Sequence, residues 1–240
     1  MTNPTAAMLV IGDEILSGRT RDSNMNHLAK VLTDAGIDLC EARVVSDDQP
    51  AIVAAVQALS AAYDHVFTSG GIGPTHDDIT ADAVAAAFDV PIDVRDDARA
   101  LLQAHYDRAG TTLNDARLRM ARVPDGATLI DNPVSTAPGF TLGNVNVMAG
   151  VPAVFEAMVA SVVSKLAHGA PLLSQSWRVM RGEGDVAAPL AQVAQDFPEL
   201  SLGSYPFQKD GVYGTNLVVR GRDASQVDAA MAQLQALFPV

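Results

Sequence analysis

The chain has 240 residues, 48% of them hydrophobic, enough to bury one large domain core and a smaller one. A formal net charge of −12 argues against a nucleic-acid binder, so an anionic ligand must be held locally, by amides, a metal or a few of the 16 basic side chains. A single cysteine, Cys40, excludes an intramolecular disulfide framework and any multi-cysteine metal site; with no signal peptide, the expected compartment is the cytoplasm.

Ala7-Met8-Leu9-Val10-Ile11 is a continuous apolar run, the pattern of a buried parallel strand, and far too short to cross a membrane. Gly12-Asp13-Glu14 turns out of it, placing two acids at a strand end. Leu28, Val31, Leu32 and Ala35 recur at helical spacing, and Gly36 stops that helix. Leu39 to Val45 reads as a second strand, carrying Cys40 into the core and ending at Ser46-Asp47-Asp48. From Gln49 the pattern is helical again, with Ile52, Val53, Val56 and Leu59 inward. His65 to Phe67 is a third strand, and Ala81 to Phe88 a third amphipathic helix. Repeated strand–helix alternation predicts an α/β domain in which ligands bind outside the carboxyl ends of the strands.

Between that third strand and helix lies Ser69-Gly70-Gly71-Ile72-Gly73-Pro74-Thr75. The three glycines permit positive φ and close approach of a ligand, and their amides make a phosphate cradle. The loop is neither a Walker loop, because no Lys-Ser/Thr follows its last glycine, nor a dinucleotide fingerprint, because His76 stands in place of the third glycine. Asp77 and Asp78 beside it repel phosphate, which is sensible mainly with a divalent cation between them. The plain alternatives are that Thr75 and Asp78 form a capping box and that Thr80 is an N-cap.

Val90 to Met120 reads as weakly helical, and Thr141 to Met148 as one strand. Between them, Asn132 to Phe140 is a proline-fixed polar loop containing Ser135, Thr136 and Gly139. Gly150-Val151-Pro152 leads into a helix with Val154, Met158 and Val162 inward. A boundary falls at His168 to Pro171, dividing the chain into 1–170 and 171–240. Beyond it, a strand at 177–180, a helix at 186–197, paired strands at 200–207 and 215–221 and a helix at 224–238 predict a small βαββα module.

IGDEILSGRTRDSN at 11–24, VVSDD at 44–48, TSGGIGPTHDDIT at 68–80, NPVSTAPGF at 132–140 and GVP at 150–152 resemble, in that order, the MoaB/Mog-type molybdopterin-binding fold. Within it the chain is most similar to the competence/damage-inducible protein A (CinA) branch, in a stand-alone form without the amidase domain. The resemblance implies a three-layer α/β/α domain with a mostly parallel sheet that forms homo-oligomers and handles nucleotide or pterin phosphates. In the adenylyltransferase branch, the two functional aspartates match Asp47 and Asp78, and a loop matching Gly70, Gly71 and Gly73 holds phosphate. In the CinA branch, the related domain cleaves ADP-ribose at its pyrophosphate with a divalent metal.

The expectation is therefore a metal-dependent hydrolase of a nucleotide phosphoanhydride, of the ADP-ribose pyrophosphatase type. Asp47 and Asp78 are its catalytic acids, and Asp13, Asp47 and Asp78 hold Mg²⁺ or Co²⁺. Ser69, Gly70, Gly71, Gly73, Pro74, Thr75, Asn132, Ser135, Thr136 and Gly139 contact the ligand. The alternatives are adenylyl transfer to molybdopterin and a non-catalytic protein that binds molybdopterin or a nucleotide. Neither nucleic acid nor membrane is an expected partner.

Overall fold

β1 (Thr5–Ile11) is the strand about which the first part of the chain is laid out. Its even positions, Ala6, Met8 and Val10, face one helical layer and its odd positions, Ala7, Leu9 and Ile11, the other. A strand buried on both faces loses the polar alternation, which is why this one reads as an unbroken apolar run. The computed structural model describes residues 2–209 and 211–239, which fall into two compact units, Met1–Gly169 and Ala170–Val240.

After β1 the first unit continues with a single turn α1 (Asp13–Leu16), α2 (Asn24–Ala35), β2 (Asp38–Val45), α3 (Gln49–Ala62), β3 (His65–Ser69) and α4 (Thr80–Ala87). Then come β4 (Ile92–Val94), α5 (Asp96–Arg108), α6 (Asp115–Leu118), β5 (Arg122–Pro124), β6 (Thr128–Ile130), β7 (Gly139–Leu142), β8 (Val145–Met148) and α7 (Pro152–Val163). The main sheet has the order β2-β1-β3-β8-β7-β6, parallel from β2 to β8 and antiparallel at β7 and β6. Leu28 and Leu32 of α2 pack with Phe155 and Met158 of α7 on one face of it. Ile52 and Leu59 of α3, Val84 of α4 and Leu102 of α5 pack on the other, completing an α/β/α arrangement with a mostly parallel sheet.

Some local expectations are corrected. The region from Val90 to Met120 is not one helical stretch: β4 pairs with β5, and α5 and α6 lie between them. Strands of three residues are too short to show a period of two. Thr141 to Met148 is a hairpin rather than a single strand, because Gly143, at φ +58°, turns the chain so that Leu142 pairs with Val145. Cys40 lies on β2 but is exposed, not core. β2 is an edge strand, and its even positions Cys40, Ala42 and Val44 face outward.

The second unit consists of β9 (Leu173–Val179), α8 (Glu183–Asp196), β10 (Ser201–Lys209), β11 (Val212–Gly221) and α9 (Ala224–Leu237). Its antiparallel sheet runs β10-β11-β9. Val186 and Val193 of α8 and Val227 and Leu234 of α9 pack with Leu217 and Val219 of β11 in a separate core. Tyr205 pairs with Asn216 and Phe207 with Gly214, so the aromatic residues of this segment belong to the β10–β11 hairpin. Among the described residues, no helix is long and apolar enough to cross a membrane.

Candidate active site

Parallel pairing brings the carboxyl ends of four strands to one edge: Ile11 is level with Val45, Val10 with Ser69, and Ser69 with Met148. The loops that follow β1, β2, β3 and β8 gather there. In the loop after β3, Gly70 and Gly71 have φ of +111° and +68°. A Cβ on Gly70 would strike the Ile11 carbonyl oxygen, and one on Gly71 the Thr80 hydroxyl. Thr80, fully buried, ties the loop down: its hydroxyl donates to the Gly70 carbonyl at 3.0 Å and its amide to the Gly71 carbonyl at 3.0 Å. The Gly70 amide donates to the Met148 carbonyl at 3.2 Å. The next amides, of Gly71, Ile72 and Gly73, donate to no protein group among the described residues. Consecutive free amides beside a glycine turn form an anion-binding nest.

Thr80 opens α4 and is not its N-cap, a position held by Ile79 without a side-chain cap. Nor does Asp78 cap the helix. Its Oδ2 accepts from the Thr75 amide at 2.8 Å and from the Thr75 hydroxyl, closing a turn within the loop. Thr80→Val keeps the shape and leaves the buried Gly70 carbonyl without its hydroxyl donor. It is expected to lose about 1–3 kcal/mol in denaturant unfolding and to weaken phosphate binding.

Asp47 and Asp13 meet at the other side of the strand ends, where Asp47 Oδ2 accepts the Asp13 amide at 2.9 Å. Partial burial pushes the Asp47 carboxyl above its ordinary range; the Asp13 amide opposes this, and the Asp13, Glu14 and Asp77 carboxylates add to it. A folded-state pKa above the unfolded value, about 3.9, means that stability falls as pH rises through that window. In EDTA, Asp47→Asn is therefore expected to match the parent in acid and to melt up to a few degrees higher near neutrality. Scanning calorimetry across pH checks the sign.

Asp78 does not complete a metal site with Asp13 and Asp47: among the described residues no three His, Cys, Asp or Glu side chains are arranged to hold an ion. The Asp78 carboxylate is turned onto Thr75, and the acid that acts on Asp47 from this loop is Asp77. A divalent ion at these strand ends would therefore meet at most two of the chain's own carboxylates, as Mg²⁺ held mainly by waters and substrate phosphates does.

A cleft of about 670 Å³ is lined by Gly70, Gly71, Gly73, Pro74, Asp78, Asn132 and Ser135, together with Glu14, Thr20 and Gly150. The other expected contacts lie outside it. Ser69 is buried at the end of β3, its Oγ accepting from Asn24. Thr75 serves the turn with Asp78, and the Thr136 hydroxyl lies 3.1 Å from His105 Nδ1. Gly139 begins β7, where a Cβ would strike the Val147 carbonyl, so its smallness serves the sheet. Asn132 shapes its own loop: Oδ1 accepts the Val134 and Ser135 amides, and Nδ2 donates to Ser135 Oγ and the Ala137 carbonyl.

Two arginines were not expected at the site: Arg119 falls within the weakly helical stretch from Val90 to Met120, and Arg122 lies just beyond it. Arg119 and Arg122 line a small cavity with Gly71, Gly73 and Asp78. Arg122 is held by Asp82 through two bonds of 2.6 and 2.7 Å. Arg119 reaches the Asp78 carbonyl at 3.4 Å, and its buried Nε has no partner. Among the described residues no carboxylate lies within ion-pair distance of Arg119.

A mostly parallel sheet with a glycine loop and acids at its strand ends defines an α/β protein with a cleft at the carboxyl edge of the sheet. Residues 7–168 match the family model described as a probable molybdopterin binding domain, and residues 171–240 match that of the FAD synthase middle domain. The chain belongs to the molybdopterin-binding-domain family. It is 32% identical to a protein of Archaeoglobus fulgidus, over 96% of each chain. It is also 32% identical to a probable FAD synthase of Caenorhabditis elegans, over 98% of this chain but only 50% of that one, so it spans about half the length of that relative. Among solved structures it resembles the CinA protein of Thermoplasma acidophilum, whose function is given as unknown, with a TM-score of 0.62, 32% identity, and coverage of 68% of this chain and 98% of that one.

Proposed function

We propose that the cleft binds a nucleotide or pterin phosphate on the Gly71–Gly73 amides and cleaves a phosphoanhydride, as in ADP-ribose or FAD. The observation that carries this reading is the run of three free amides on the wall of the cleft, beside Asp78 and with Arg119 behind it. Amides that have no protein acceptor give up no internal hydrogen bond on meeting the oxygens on which charge builds. Similarity to a probable FAD synthase supports a dinucleotide among the substrates.

Because no three acids converge, a divalent cation such as Mg²⁺ or Co²⁺ enters as part of the substrate, on its phosphates. Calorimetry of ADP-ribose with Mg²⁺ and with EDTA is expected to show tighter binding with the metal. Equal affinity would remove the cation from this scheme.

The family match favours a second reading, adenylyl transfer from ATP to molybdopterin, in which a pterin phosphate replaces water as the attacking group. Product analysis separates the readings. ADP-ribose and FAD are incubated alone, and ATP with and without molybdopterin, each with Mg²⁺, Co²⁺ or EDTA. AMP from ADP-ribose or FAD is the expected result; pyrophosphate released from ATP only with the pterin indicates transfer. Binding without product in every arm indicates a carrier.

A further inference from the structure

The second unit separates its charges by layer. Helices α8 and α9 carry Glu183, Asp185, Asp196 and Asp228 and neither lysine nor arginine. The three strands carry Arg178, Lys209 and Arg220 and no acid. Side chains alternate across a strand, and Val179, Leu217 and Val219 pack with the helices, so Arg178 and Arg220 stand on the other face of the sheet. Pairing across the ladder puts Tyr205 level with Asn216, Asn216 level with Arg178, and Phe207 level with Gly214. Both rings therefore share the face of the two arginines, and α8 and α9 pack on the opposite one.

Each arginine is placed by a ring and not by an acid. The Phe207 ring lies against Gly214, where an added Cβ would come within 2.8 Å of it. The Arg178 guanidinium lies over that ring, 4.5 Å from its centroid, and its Nε donates to Asn216 Oδ1 at 3.2 Å. Tyr205 lies likewise against Gly203, with the Arg220 guanidinium 5.5 Å from its centroid. Among the described residues, no carboxylate lies within ion-pair distance of Arg178 or Arg220. Arg178 and Tyr205 are exposed and Arg220 is half-buried. Stacking orients a guanidinium in advance and leaves its N–H fork for an anion. In a chain of net charge −12, two such forks on one acid-free face mark it for an anionic partner.

We propose that this sheet face docks an acidic protein segment, lying extended along the strands with carboxylates on alternate residues. Arg220 stands four residues along β11 from Asn216, which is level with Arg178, so the two positions are about 13 Å apart along the sheet. An extended chain repeats its side chains on one face at every second residue, so carboxylates at i and i+4 span the same distance. A single-stranded nucleic acid fits less well. Its bases need open ring faces to stack upon, and those of Phe207 and Tyr205 are taken up by glycine and guanidinium. The inference does not depend on the phosphate-binding reading.

The test is fluorescence anisotropy on the full chain with three labelled probes: a peptide of alternating Glu and Ser, its Gln–Ser counterpart, and an oligouridylate. The Glu–Ser peptide is expected to bind and the Gln–Ser peptide not, with affinity falling as salt is raised. Arg178→Gln combined with Arg220→Gln is expected to weaken binding about tenfold, with the melting temperature nearly unchanged. Ser176→Glu is the second variant. Ser176 is exposed and level with Val218, midway between Asn216 and Arg220, so the change keeps both arginines and sets an acid between them. It is expected to abolish binding by repulsion. No binding of the Glu–Ser peptide at low salt, or binding that survives in both variants, overturns the proposal. So does an oligouridylate that binds more tightly and is lost in the same variants, which would make the face a nucleic-acid platform. A dimer that the variants dissociate in sedimentation would put a second copy of the chain there and overturn it too.

Discussion

Asp78→Asn is expected to lower kcat for phosphoanhydride cleavage by about 10²–10³, with the melting temperature within a few degrees of the parent's. The geometry separates charge from shape at this residue. Asp78 Oδ2 takes the Thr75 amide and hydroxyl, and it crowds Gly73, where a Cβ would lie 2.7 Å away. An asparagine keeps an oxygen for Thr75 and fits over the same glycine, so the turn survives. What disappears is the negative charge at the cleft wall, beside the free amides and the Arg119 side chain. If Asp78 serves the turn alone, the substitution weakens its two charge-assisted hydrogen bonds from Thr75, about 1–2 kcal/mol in all, and turnover by the folded fraction stays intact. Measuring kcat and melting temperature on the same preparation distinguishes these outcomes. A lowered melting temperature with unchanged kcat would retire Asp78 from the chemistry.

The parts of this site that could be read from the chain are those in which neighbours in sequence are neighbours in space. The apolar run of β1 and the glycines after β3 are consecutive, and their physical meaning, burial on both faces and a backbone open to a ligand, needs no distant partner. Asn24 differs. It lies within the DSN of 22–24, but what gives it meaning is Ser69, 45 residues away, and Gly150, 126 residues away. Arg119 likewise meets the Asp78 carbonyl 41 residues off, with α4, β4, α5 and α6 between them in the chain. Asn132 and Thr75 show the opposite difficulty. Both are polar and beside the cleft, yet their hydrogen bonds are made within their own turns. A polar residue in a loop with prolines or glycines has two uses, holding the loop or holding a ligand, and composition does not separate them.

Gly70→Ala is expected to destabilise the chain by at least about 3 kcal/mol and to abolish pyrophosphate binding by the fraction that remains folded. Two penalties add at this position. The φ of +111° lies beyond the left-handed region that non-glycine residues occasionally tolerate. The new methyl would also strike the Ile11 carbonyl oxygen, which belongs to the backbone of β1 inside the sheet and cannot swing aside as a side chain would. Retreat of Gly70 would pull on its bonds to Met148 and Thr80 and move the amides of Gly71 to Gly73 that follow. Gly126→Ala supplies the control: φ there is +79°, but nothing lies within 4 Å of the added carbon. That substitution is expected to cost about 1–2 kcal/mol, from backbone strain alone, and to leave pyrophosphate binding unchanged. Denaturant unfolding of the two variants side by side isolates the contribution of the β1 contact. Equal losses in both would mean that the glycine loop is free to move away from β1, and the preorganisation on which phosphate binding depends here would have to be abandoned.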